Sequence, residues 1–440
     1  MSPVSATANA AATANGSGKA AGLIRDDREA GSFSVHRSVY ASQEVFDLER
    51  ERIFNHCWIY VGHESEIEEP GQYRRRRVAG RPVMFLRDVD GKVRVLLNVC
   101  THRGALVCRQ DAGAAKTFQC FYHAWTFNTR GELVATPDKE GYGPDFDRSQ
   151  FALRSPAKVD SYRGFVFMNF DANAMSLVDY LAGAREFIDL VADQTDAGMR
   201  VVPGTNLYSA KANWKLMVEN ATDTYHVPPL HITFTNYIKG TGGGNPPAGV
   251  QARGSLDLGN GHAVTETPAP WQRPIAHWEP IYGEESRAEI EEIRNGLIDK
   301  FGEVRGRRMA ETFRLLVIFP NLVINDIAAV TIRYMEPIQP DLVSISAWEL
   351  APKEESGTRL ARRLDSFLTF IGPGGLATPD DIEAVESCQQ GYSAIGEVPW
   401  SDISRGLNGP VRMGNELELR TYWRQWAKVM SGAAMPGMEA

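Results

Sequence analysis

Four side chains in the first third of the chain have the types and spacing to bind iron and sulfide. Cys100 and His102 stand in Cys100-Thr-His102-Arg103-Gly104, and Cys120 and His123 in Cys120-Phe-Tyr-His123-Ala-Trp125. Each half offers one thiolate and one imidazole. Two such loops brought together can hold a two-iron cluster, with both cysteines on one iron and both histidines on the other. Neutral imidazole in place of thiolate raises the reduction potential. The competing chemistry is a tetrahedral Cys2His2 zinc site, but structural zinc pairs Cys with Cys and His with His along the chain, at other spacings. The Cys-His alternation points to a two-iron, two-sulfide cluster.

A second constellation runs Asn213-Trp214-Lys215 … Glu219-Asn220-Ala-Thr-Asp223-Thr-Tyr225-His226-Val-Pro228-Pro229-Leu-His231. It reads as a helix broken at the two prolines. Asp223 and His226, three apart, then share a helix face. His226 and His231 are separated by about 140° on an ideal helix, so they reach one ion only if the chain turns between them, as Pro228-Pro229 allows. For an isolated pair of histidines a capping or core role is the plainer reading. Two histidines with one carboxylate, however, make the facial triad of non-haem Fe(II) oxygenases, which leaves positions open for dioxygen.

Together the constellations resemble the large (alpha) subunits of the Rieske non-haem iron aromatic-ring-hydroxylating oxygenases. Cys-x-His-Arg-Gly, Cys-x2-His-x-Trp, Asn-Trp-Lys and Asp-x-Tyr-His-x4-His occur in that order, and the resemblance spans about residues 35–430. It implies a Rieske [2Fe-2S] cluster on Cys100, His102, Cys120 and His123, and a mononuclear Fe(II) on His226, His231 and a carboxylate from a later acidic segment. Thr378-Pro379-Asp380-Asp381-Ile-Glu383 opens such a helix. Asp380 and Asp381 compete for the role. Helical spacing puts Asp381 on a face with Ala384, Val385, Cys388 and Tyr392, and Asp380 with Glu383, Ser387 and Gly391, so Asp381 is the choice. The plainer reading is that both acids complement the helix dipole.

The resemblance also implies catalytic-site roles for Asn220 and Asp223. Asp223 would bridge a Rieske histidine and an iron-bound histidine of neighbouring subunits in a head-to-tail homotrimer (α3, or α3β3 with a small β subunit). Electrons from NAD(P)H must arrive through a separate reductase, with or without a ferredoxin. The chain carries no flavin or nicotinamide fingerprint, and Gly240-Thr-Gly242-Gly243-Gly244-Asn245 lacks the last glycine of one. The implied reaction is O2-dependent cis-dihydroxylation of an aromatic acid of the benzoate, salicylate, terephthalate or p-cumate kind, with ring monohydroxylation as the alternative. An aromatic acid needs a cation in a mostly apolar pocket, and Arg333 on an apolar strand is a candidate. Rival classes are an electron-transfer Rieske protein without a second iron and a zinc-stabilised binding module.

The elements that must position these residues fall into four segments. Residues 1–34 read as a disordered tail, rich in Ala, Ser, Thr and Gly up to residue 22, and residues 35–57 as a leading helix of the catalytic domain. Residues 58–170 carry short β-type runs between glycines and form the β-rich Rieske domain. Residues 171–440 read as α+β, and the resemblance implies that they are the catalytic domain, with a curved antiparallel sheet and helices of the helix-grip type. Helical patterns cover 176–193, 213–227, 285–301 and 379–391, strands cover 313–335 and 342–350, and residues 239–262 read as a long mobile loop. Within the 440 residues, 47 Lys and Arg against 55 Asp and Glu leave a net charge of −8, which opposes nucleic-acid binding. The longest apolar run, Leu315 to Ile324, is too short for a membrane span. Five scattered cysteines fit the cytoplasm, with Cys57, Cys108 and Cys388 as small buried side chains. The Arg74-Arg75-Arg76-Arg77 run could dock an acidic donor, although strand alternation leaves half of it as solvated surface.

Overall fold

The computed structural model describes residues 22–244, 252–269, 276–327, 329–410 and 412–432. The chain divides into two compact units, Phe54–Leu177 and the pair of segments Met1–Ile53 and Val178–Ala440 that flank it in sequence. Among the described residues no helix is long and apolar enough to cross a membrane.

The Phe54–Leu177 unit is built of antiparallel strands. Val93–Leu97, Arg81–Arg87, Gln72–Val78 and Ala112–Ala114 pair in that order, and two three-stranded sheets complete it. Its core gathers Tyr73, Met84, Leu86, Leu96, Phe118, Trp125, Phe127 and Leu133 around Cys100 and Cys120. The arginine run lies on Gln72–Val78, and part of its charge is met within the unit: Arg76 pairs with Glu66, Arg75 with Asp111, and Arg74 lies 4.0 Å from Glu66.

The other unit is organised by an eight-stranded antiparallel sheet. Its order is Met199–Val201, Leu342–Pro352, Val330–Gln339, Leu322–Asp326, Thr312–Ile318, His262–Pro268 and Gly254–Gly259, and Asn206–Ala210 also pairs with Leu342–Pro352. The middle strands are buried almost throughout, which is why they read as continuous apolar runs rather than alternating ones. The helices that carry or close the site are Gln43–Arg52, Trp214–Asn220, Ile232–Gly240, Gly357–Phe370, Thr378–Gly391 and Leu417–Met430. Ser42 caps the first of them by accepting from the Val45 N–H at 3.4 Å.

A buried ion pair fixes one of these helices. Lys215 and Glu49 are both fully buried, with Lys215 Nζ 2.7 Å from Glu49 Oε1. The same carboxylate accepts hydrogen bonds from the indoles of Trp214 at 3.1 Å and Trp426 at 2.7 Å. One turn on, Glu219 accepts from Tyr40 at 2.8 Å and from Trp423, while burial pushes its carboxyl up to about 7. The helix Trp214–Asn220 is thereby tied to the first and last helices of its unit.

Three sequence expectations need correction. The disordered tail does not extend to residue 34: Ile24–Asp27 and Ser32–His36 are paired strands, and Trp400–Asp402 joins the second of them. Residues 1–21 lie outside the described residues. The loop over 239–262 contains the strand Gly254–Gly259 and the start of His262–Pro268, and residues 245–251 lie outside the described residues. The helix over 213–227 stops at Asn220, because the Thr222 hydroxyl bonds back to the carbonyls of Val218 and Glu219 and the Asp223 carboxylate accepts from the Tyr225 N–H. Pro228-Pro229 therefore do not break that helix. They sit inside a separate single turn, Val227–Leu230.

Candidate metal centres

In the β unit the two Cys-His loops have matching backbones. The carbonyl of each cysteine accepts from the N–H four residues on, Gly104 for Cys100 and Ala124 for Cys120. Each cysteine N–H donates five residues on, to Ala105 and to Trp125. Both fourth residues are left-handed, Gly104 at φ 79° and Ala124 at φ 54°. The first loop uses glycine there, as this conformation favours, and the second bears the cost of a side chain. Cys100 and Cys120 are buried and neighbours, and N–H groups of His102 and Arg103 point at the Cys100 sulfur. The imidazoles of His102 and His123 lie 4.7 Å apart at the exposed end, with Trp125 stacked on His102 at 4.7 Å.

No three of these four donors come within 4.8 Å of one another; among the described residues only His226, His231 and Asp381 make such a group. A tetrahedral zinc ion needs all four donors around one point. Two cysteines at one end and two histidines at the other fit a group with two metals, as a [2Fe-2S] cluster has.

In the larger unit His226 Nε2 and His231 Nε2 lie 3.2 Å apart, and Asp381 Oδ1 is 3.4 Å from the first and 3.2 Å from the second. Each imidazole donates its other nitrogen to a carboxylate of its own: His226 Nδ1 to Asp223 at 3.1 Å and His231 Nδ1 to Asp380 at 3.3 Å. That tautomer turns two nitrogen lone pairs and a carboxylate oxygen toward one point, an arrangement of acceptors that requires a positive charge at its centre. Metal bonds of roughly 2.1 Å at right angles place neighbouring donors about 3.0 Å apart, close to the spacing here. The donor set therefore fits a divalent ion with open positions.

The charge balance agrees. Burial works against the charged form of His226, yet Asp223 and Asp381 raise its pKa to about 9. Burial also opposes ionisation of Asp381, which is 8% exposed, but His226 and His231 hold its carboxyl well below the usual carboxylate range. Asn220 Nδ2 donates to Asp381 Oδ1 at 2.9 Å, so Asn220 orients the carboxylate. Asp380, the rival that helical spacing set aside, instead holds His231.

Arg333 lies on the same unit's sheet, 4% exposed, with its Nε donating to Asn325 Oδ1 at 2.9 Å. Asn325 Nδ2 in turn donates to the carbonyl of Ala221, the residue after Asn220, at 3.3 Å. Sequence reasoning did not find Asn325 or Tyr208, whose side chain lies beside Arg333. The strand of Asn325 is buried on both faces and so shows no alternation, while Tyr208 lies on a short alternating strand whose neighbours only the sheet register supplies. Cys57 and Cys108 are buried, but Cys388 is exposed, contrary to the sequence reading.

Comparison with known proteins gives consistent matches over both units. Residues 57–157 match the family described as Rieske [2Fe-2S] domain, and residues 192–432 that described as ring hydroxylating alpha subunit (catalytic domain). The chain is 33% identical to toluate 1,2-dioxygenase subunit alpha of Pseudomonas putida, over 90% of this chain and 87% of that one. It is 30% identical to the 2-halobenzoate 1,2-dioxygenase large subunit of Burkholderia cepacia, over 94% and 88%. Among solved structures, naphthalene 1,2-dioxygenase from Rhodococcus sp. bound to indole superposes with a TM-score of 0.77 at 27% identity, over 91% of this chain and 95% of that one.

Proposed function

Because the chain belongs to the ring-hydroxylating oxygenase alpha subunits, with a Rieske [2Fe-2S] domain ahead of the catalytic domain, we propose that it adds both atoms of dioxygen to an aromatic carboxylate. The observation that carries this is the convergence of His226, His231 and Asp381 on one point with each histidine oriented by its own carboxylate. Toluate and 2-halobenzoate, in the names of two relatives, are both aromatic acids. When bound, a Rieske cluster supplies electrons singly and a ferrous ion with open positions activates dioxygen beside the ring.

The chain's own residues set the conditions for that chemistry. Cys100, His102, Cys120 and His123 hold the cluster, and His226, His231 and Asp381 hold the ion. Asn220 keeps the Asp381 oxygen aimed inward, and Asp380 fixes the His231 tautomer. Asp223 does the same for His226 and also links it to a Rieske histidine of a neighbouring copy in a homotrimer. NAD(P)H electrons reach the trimer through a separate reductase, with or without a ferredoxin.

Asp223 and Asp380 separate these duties. Asp223→Ala lowers steady-state turnover about 10- to 100-fold more than it lowers iron content, because it cuts the link between centres. Asp380→Ala weakens metal binding by about 10- to 100-fold, and its iron-loaded, pre-reduced form still makes product in a single turnover. Iron analysis and single-turnover product yield check both, and near-parent turnover in Asp223→Ala removes the bridge.

The direct test of the function is exposure of the reduced, iron-replete protein to labelled dioxygen with benzoate, salicylate, terephthalate and p-cumate. A cis-diol carrying two labelled oxygens is expected. A phenol with one labelled oxygen replaces dioxygenation by ring monohydroxylation.

A further inference from the structure

Strand register gathers a set of polar groups that the metal centres leave unused. Arg333 pairs with Ala347 and Val323, Ala347 with Asn206, and Ile345, two residues before Ala347, with Tyr208. Alternate residues share a sheet face, so Tyr208, Ala347 and Arg333 lie on one face together with Asn325. This face looks toward the catalytic centre, since Asn325 bonds to Ala221 and Asn220 bonds to Asp381.

Arg333 on this face lacks an acidic partner. It is 4% exposed, and among the described residues no carboxylate lies within ion-pair distance of it; Nε is committed to Asn325, a neutral amide. Buried arginine is rarely found without a counter-ion, because desolvating an unpaired charge is costly. The Tyr208 hydroxyl beside it is buried and has no hydrogen-bond partner among the described residues. Burial pushes that hydroxyl's pKa up while the Arg333 guanidinium draws it back, and Asp381 is near enough to act on it as well. A buried guanidinium with a neutral amide on Nε and no acidic partner, beside a buried phenol, is a donor set that a carboxylate completes.

We propose that Arg333 and Tyr208 form the subsite for the substrate's carboxylate, with the guanidinium as its counter-ion and the tyrosine hydroxyl as a second donor. This rests on the aromatic-acid reading above. Asn325 is the positioning residue: it ties the guanidinium through Ala221 to the segment that carries Asn220, so the distance from the carboxylate anchor to the metal ligands is fixed by hydrogen bonds. Substrates with the same ring and a neutral substituent leave the buried cation unpaired and are rejected.

The test uses the iron-replete holoenzyme and two probes of one shape, benzoate and benzamide, with binding followed by calorimetry and turnover by product analysis. The parent favours benzoate by at least about 100-fold. Loss of one charge-assisted hydrogen bond in Tyr208→Phe weakens benzoate binding about 10- to 100-fold. Arg333→Gln brings the benzoate-to-benzamide ratio to within a few-fold of one. Tyr208→Phe removes one oxygen and keeps the ring, so it decides the question even if Arg333→Gln fails to fold. A parent that oxidises benzoate, with Tyr208→Phe binding it as tightly as the parent does, overturns the subsite and leaves the aromatic-acid reading standing. A parent that neither binds nor oxidises benzoate but oxidises toluene overturns that reading, and the subsite with it.

Discussion

The expected result of Asp381→Ala is a protein that keeps its Rieske spectrum and loses its product. Asp381 supplies one of three convergent donors, and the two imidazoles alone leave an ion without its charge-balancing ligand. Metal activation contributes several kcal/mol to such reactions, so product formation falls at least about 1000-fold. Cys100, His102, Cys120 and His123 lie in the other unit, so visible absorption and two-iron stoichiometry stay at parent values. Asp381→Asn keeps the oxygen that Asn220 contacts but drops the charge, and it retains a trace of iron at high metal concentration. If Asp381→Ala binds iron and turns over like the parent, Asp380 or another acid is the ligand.

The second large effect is on stability. Lys215→Met leaves the Glu49 carboxylate fully buried with two indole donors and no cation. Breaking a buried pair by removing one partner costs about 3–5 kcal/mol. Adding Glu49→Gln to that variant removes the stranded charge while keeping an acceptor for Trp214 and Trp426, and it recovers most of the loss. Urea midpoints of the two variants, followed by tryptophan fluorescence, check the order. A Lys215→Met midpoint equal to that of the parent shows that Glu49 takes up a proton at little cost and that the pair does not hold the helix.

What could be read from the sequence divides by distance along the chain. Each Cys-His loop closes within six residues, so residue type and spacing are enough to show it. The same holds for His226 and His231, separated by one short turn, and for Asp381, whose face follows from the period of a single helix. The part that could not be read depends on partners from distant segments. Asp380 touches His231 only once the helix Thr378–Gly391 is packed, and Tyr208 meets Arg333 only through the register of Asn206–Ala210 and Val330–Gln339 on either side of Leu342–Pro352. The strand Ile24–Asp27 has three charged residues in four and no alternation; pairing with Ser32–His36 makes it a strand. The helix Leu417–Met430 is not legible in the sequence either: it is buried on nearly every side, including Glu418, Arg420 and Gln425, so its polar residues do not mark a solvent face.

The order of the two units along the chain governs how the protein can be made. Residues 54–177 are contiguous, so the β unit is complete in the nascent chain while all strands of the other unit's eight-stranded sheet are still untranslated. Glu49 has to wait for Trp426, 377 residues later, which at ordinary elongation rates is roughly 20–75 s after Glu49 itself is joined. Through that interval a leading helix destined for the catalytic unit trails free beside a finished neighbour. A ribosome stalled after residue 177 has cleared the exit tunnel but before residue 417 therefore presents a chain whose iron-sulfur ligands are in place and whose other unit still lacks its last helix.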